Sequence, residues 1–211
     1  MSQRLAKGEG HRISKRIELY SVGVSAKFRN AEFALGMLQQ LASQADSAST
    51  SETAEFGTTD KLHFYLDSYF AFLYSTFDVI SQVVNQKLRL GIDERQVSFK
   101  RVTSDLAKKK AGTKVEKTYQ SISQSKFFKN LERYRNCSTH RRQIYIKEMT
   151  VKISETAGYS STGDIVTVRR VICDDPLTLK PSVKQDREII TYTSKVLERA
   201  KEEISKIAKS L

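Results

Sequence analysis

The chain has 211 residues, 39% hydrophobic and 28% charged, enough to bury the core of one domain spanning 1–211. Asp67 and Asp78 interrupt its most apolar segment, 62–84, and the opening MSQRLAKGEGHRISKR has no secretory-type hydrophobic stretch, so a cytoplasmic protein with no membrane span is expected. The net charge of +12 is regional: residues 95–147 hold 15 of the 36 Lys and Arg but only three of the 24 acids, leaving 21 of each sign elsewhere.

Residues 1–20 read as an N-terminal tail. From 25 to 45, Phe28, Ala31, Leu35, Leu38 and Ala42 recur at three- and four-residue steps, which predicts an amphipathic helix. The Ser/Thr-rich stretch 46–59 reads as a loop. A second, long helix runs from a capping Asp60 to about Leu90, with Leu62, Leu66, Tyr69, Leu73, Phe77, Ile80, Val84 and Leu88 on one stripe and Gly91 at its end.

The basic region 94–118 is helical and polar, with a break at Ala111-Gly112-Thr113. Residues 125–142 form another helix, in which Phe127, Phe128, Leu131 and Tyr134 make the buried face. Then the period changes to two. QIYIKEMTVKISE and DIVTVRRVIC alternate around the turn-prone AGYSSTG, which predicts a β-hairpin over 143–176. A final helix follows Lys180-Pro181, with Ser182 and Gln185 spaced as a capping box and Ile189, Val196, Leu197, Ala200, Ile204, Ile207 and Leu211 inward. The expected fold class is therefore mainly α: an antiparallel helical bundle with a β-hairpin inserted before the last helix.

Two cysteines, Cys137 and Cys173, are far apart and form no CxxC, so neither a disulfide framework nor a four-ligand zinc site is readable; reduced thiols, no metal and no cofactor are expected. The concentrated positive charge attracts polyanions, nucleic acid first. It leads into ERYRNCSTHRRQ, residues 132–143. Cutting RNA without a metal requires a base for the 2′-OH, an acid for the leaving 5′-oxygen and a cation on the phosphorane. Histidine serves the first two roles near neutral pH, and the planar arginine fork suits the third. Arg135, Asn136 and His140 supply these types within six residues.

At these residues the chain resembles the HEPN superfamily, small helical proteins whose ribonucleases carry Arg, a polar residue, and then His after four to six intervening positions. Arg135-Asn136-Cys137-Ser138-Thr139-His140 fits with four. Arg4 and His11 also have an allowed spacing, but Leu5 follows Arg4; Arg133 and His140 have one too, but Tyr134 follows Arg133. A strand pair between the motif helix and a long last helix is similar to one bacterial and archaeal branch of the superfamily.

The resemblance implies a homodimer whose two motifs form one composite, metal-independent endoribonuclease site, with Arg135, Asn136 and His140 catalytic. It also implies RNA as substrate, a role as toxin or antiviral-defence effector, and an antitoxin or other regulatory protein as partner. Arg133, Arg141, Arg142 and Tyr145 are candidate substrate contacts. Two other functions stay open: a non-catalytic protein binding RNA or nucleotide through the basic region, and a helical module that binds only a protein.

Helix geometry leaves two arginines in competition. At about 100° per residue, Arg135 and His140 lie about 140° apart, whereas Arg133, Asn136 and His140 share a face. Arg135 falls beside the apolar stripe, so it is expected either to pair with an acid, for which Asp67 and Asp78 are the supporting candidates, or to sit where the helix loosens at Cys137-Ser138-Thr139. Cys137 and His140 as a metal half-site or nucleophile pair lack a third partner. His63 and the aromatics Phe64, Tyr65, Tyr69, Phe70, Phe72, Tyr74 and Phe77 read as bundle or dimer core.

Overall fold

A computed structural model describes residues 2–47, 55–140, 146–154, 165–173 and 189–211. Among these the chain is mainly helical: α1 (Ser2–Ser47), α2 (Glu55–Leu88), α3 (Phe99–Lys109), α4 (Lys114–Gln124), α5 (Lys126–His140) and α6 (Ile189–Ser210). Two nine-residue strands, β1 (Ile146–Ser154) and β2 (Ile165–Cys173), pair antiparallel with Ile146 opposite Cys173. The residues between them lie outside the described set, as does the proposed capping box Ser182/Gln185.

α1 begins well before residue 25 and takes in the segment expected as a tail. The apolar stripe of α1 continues N-terminal to residue 25, with Ile17, Tyr20 and Val24 against the core at three- and four-residue steps, while Leu19 and Val22 between them are exposed. α1 and α2 run antiparallel. Gly23 lies so close to α2 that a Cβ there would stand 3.1 Å from Val79 Cγ1, the Lys27 Nζ sits over the Phe72 ring, and Phe33 meets Tyr65 edge-on.

α2 is the central helix. Its stripe of Leu62, Leu66, Tyr69, Leu73, Phe77, Ile80 and Val84 is buried. At its C-terminal end Arg89 and Gly91 both have positive φ, and the buried Asn85 side chain bonds both the N–H and the carbonyl of Ile92, turning the chain back. The basic region then forms a single 3-10 turn, Glu94–Gln96, followed by α3 and α4 with the break at the expected place. Ser98 caps α3 by accepting from the Arg101 N–H, and Thr113 caps α4 by accepting from Glu116.

Aromatic rings hold α2 to α3, α4 and α5. Tyr119 stacks on Phe99 at 4.7 Å, Phe99 meets Phe128 at 4.5 Å, and Phe128 lies against both Tyr74 and Phe77. Phe70 stacks on Tyr134 at 4.2 Å with the planes 3° apart. With Phe77 at Phe128 and Phe70 at Tyr134, α5 runs antiparallel to α2. Tyr69 donates to the Thr193 carbonyl, and Tyr192 packs on Tyr134, which seats α6 against both. Phe64 lies outside the bundle core, 65% exposed, so of its two expected places only a dimer core is left. None of the helices among the described residues is long and apolar enough to cross a membrane.

Candidate functional site

The site is built on the second half of α5, which is helical without interruption through His140, its last residue. The loosening considered at Cys137-Ser138-Thr139 therefore does not occur in the backbone. Cys137 is buried, 2% exposed, within the core, where it fills the interior face of α5. Among the described residues no three His, Cys, Asp or Glu side chains are grouped to hold a metal ion.

A regular helix sends the two arginines in different directions. Arg133 is exposed, at a helical position sharing a face with positions 136 and 140. Arg135 is partly buried and turned towards α2: its guanidinium lies over the Tyr74 ring, 5.0 Å from the centroid, and its Nη1 donates to Asn136 Oδ1 at 2.9 Å. Tyr74 in turn stacks on Phe128. The cation thus terminates the ring series that begins at Tyr119, and its orientation is fixed by packing as well as by charge.

Asp78 is the acid whose titration Arg135 affects. Burial raises its pKa, while the Phe99 N–H and the Arg135 charge oppose that rise. Its Oδ1 accepts from Phe99 N at 2.9 Å, so one carboxyl supports both the start of α3 and the charge on α5. Tyr74 is pushed up to about 12 by burial first, then by Asp78 and Glu132, against Arg135. Its phenol stays protonated at neutral pH. Glu132 forms an ion pair with Lys100 of α3.

Asp67 is different. Burial alone pushes its pKa up to about 6, and its Oδ1 is buried with no hydrogen-bond partner among the described residues. The antiparallel register of α2 and α5 sets it level with the last turn of α5, one turn from the half-buried His63. Of the two candidate acids for Arg135, Asp78 thus lies within its field, whereas Asp67 is governed by burial.

Arg141, Arg142 and Tyr145 lie outside the described residues, and of His140 only the backbone position is described. Tyr74 as a platform for Arg135 was not read from the sequence. A ring at one position and a guanidinium 61 residues later leave no local signal.

A bundle whose penultimate helix ends in an Arg-Asn pair and a histidine four residues on defines a class of helical protein, and comparison identifies the family. Residues 20–205 match the Cthe2314-like HEPN family, and the chain belongs to it. No curated protein and no solved structure matches.

Proposed function

We propose that the protein is a metal-independent endoribonuclease in which two copies of the chain complete one site. HEPN membership supports a role on RNA or nucleotides. The observation that carries the reading is the fixed, partly buried Arg135, bonded to Asn136 and stacked on Tyr74, on the helix that ends at His140.

In the proposed reaction the 2′-oxygen forms a bond to the adjacent phosphorus and the bond from phosphorus to the 5′-oxygen breaks, leaving a 2′,3′-cyclic phosphate. One His140 takes the 2′-OH proton; the second protomer's copy gives a proton to the 5′-oxygen. Arg135 and Asn136 bind the phosphate oxygens as charge builds on them. A single regular helix keeps positions 135 and 140 about 140° apart, so a partner's motif is what brings the two groups to one phosphate. The exposed Phe64 and Ala71, on the face of α2 that carries Asp67 and Asp78, supply an apolar strip for that partner.

The wider assignments belong to this proposal: a single domain over 1–211 with 143–176 as a β-hairpin appendage, Arg133, Arg141, Arg142 and Tyr145 as substrate contacts, and toxin or defence activity held by a regulatory protein. The separation of positions 135 and 140 also favours a second reading, a non-catalytic member that binds RNA or nucleotide. The two diverge on product chemistry. Single-stranded RNA incubated with the protein should yield fragments ending in 2′,3′-cyclic phosphate, and 2′-O-methyl RNA, which lacks the nucleophile, should stay intact. Cutting of 2′-O-methyl RNA, or products with plain 3′-hydroxyl ends, would refute the mechanism; bound but uncut RNA would support the second reading.

A further inference from the structure

At the far end of the bundle from His140, α4 and α6 border an open groove of about 700 Å³. Lys114, Lys117, Thr118 and Ser121 of α4 line one wall, and Lys206 and Lys209 of α6 the other. All four lysines are exposed. The one acid in the groove, Glu203, is 4% exposed and already engaged by Arg199 and by Lys206 at 3.0 Å. Lys114, Lys117 and Lys209 form no ion pair among the described residues, and Lys114 Nζ donates only to the Lys209 carbonyl.

Elsewhere on α6, Lys201 pairs with Glu32 of α1 and with Glu198, while the exposed Lys195 stands singly with no ion pair among the described residues. A solvated face that merely confers solubility intersperses its charges in this way. The groove instead concentrates one sign between two helices, where the first turn of α4 meets the last turn of α6 and the opposed dipole ends leave the lysines as the main source of positive potential. Mutual repulsion of the lysines is relieved by a ligand with several anionic groups in a row. An open groove lined by four lysines and the exposed Ser121 suits a phosphodiester backbone.

We propose that this groove is a second RNA-binding site, which holds the phosphate backbone of a single strand away from the point of cleavage. That the anion is RNA rests on the ribonuclease reading; the groove's capacity to bind a phosphodiester strand does not. Tyr192 packs beside Arg135's neighbour Tyr134, and Lys206 and Lys209 lie 14 and 17 residues further along α6, about 21–26 Å away. A dinucleotide cannot span that distance. Twenty nucleotides can, covering about 70 Å even at a stacked spacing of about 3.4 Å each.

The test uses the full chain and a fluorescein-labelled 20-nucleotide 2′-O-methyl RNA, which binds without being cut. Each phosphate neutralised contributes about −0.7 to the slope of log affinity against log salt for a single strand. Lys114→Gln/Lys117→Gln should flatten the slope by about 1.4 and weaken binding at 0.1 M salt roughly 20-fold, while Lys15→Gln/Lys87→Gln, at exposed lysines of α1 and α2, should change little. Cleavage of a dinucleotide should be unaffected and the KM for a 20-nucleotide substrate raised. An unchanged slope and affinity would overturn the proposal, as would equal displacement of the strand by polyglutamate of matched charge. If no RNA is cut at all, the ribonuclease reading fails, yet the slope still decides whether the groove binds the strand.

Discussion

Replacing Asp67 by Asn tests how the interior treats the charge beside the end of α5. The Asp67 carboxyl is displaced from its ordinary value of 3.8 to about 6 by burial alone. A carboxyl whose folded pKa is raised is held more readily in its neutral form by the folded chain than by the unfolded one. Its contribution is therefore most favourable below pH 4, declines as pH rises from 4 to 6, and is lost above that range. A displacement of about two units corresponds to at most ~3 kcal/mol. The carboxyl keeps part of its access to solvent, and screening reduces the penalty to about 1–1.5 kcal/mol.

Asn has the same shape and cannot ionise, so Asp67→Asn should be more stable than wild type by about 1–1.5 kcal/mol at pH 7.5 and no more stable at pH 4. For a chain of this size that raises the unfolding midpoint by roughly 2–6 °C. Urea or thermal unfolding at the two pH values measures it. An equal effect at both, or a loss of stability at pH 7.5, would refute the burial argument. Retaining a costly acid is understandable if the site uses it, so the stabilised variant should also cut RNA more slowly.

Arg135→Lys keeps the charge but removes the planar fork over Tyr74, and should lower kcat by about 10²–10³, whereas Arg133→Lys should cost less than about fivefold; the reverse order would transfer the phosphate role to Arg133. Tyr134→Ala empties the space between Phe70 and Tyr192 and should cost about 3–5 kcal/mol of stability by urea unfolding; less than ~1 kcal/mol would contradict the stacked core. Arg135→Ala and His140→Ala should each be inactive, and exchanging their subunits should restore little of the cutting activity, because a mixed dimer holds one intact His where the reaction uses one from each chain. Near-full recovery after proven exchange would show that a single histidine suffices and would refute the two-histidine mechanism.

Period alone reveals the long second helix, since the apolar positions 62, 66, 69, 73, 77, 80 and 84 all face inward. Gly112 and its neighbours likewise mark the break between α3 and α4, where Gly112 has φ 80°. Other features depend on partners distant in the chain. α1 extends to Ser2, and its stripe of Ile17, Tyr20 and Val24 is interleaved with the exposed Leu19 and Val22, which blurs the period; Phe64 fits a helix of aromatics yet faces outward. At the site, spacing singles out Arg135, Asn136 and His140 as candidates, and the unbroken helix decides that Arg135 turns to α2 while Arg133 stays in solvent. That Asp78 caps α3 and Tyr74 receives the guanidinium could not be inferred from spacing: both depend on how three helices meet.

Metal-independent cutting of RNA at the end of α5 is tested by incubating purified protein and His140→Ala, each in excess EDTA, with single-stranded RNA. Cleavage by wild type and intact RNA with the variant are expected. Intact RNA in both, or equal cleavage by the variant, would contradict that assignment.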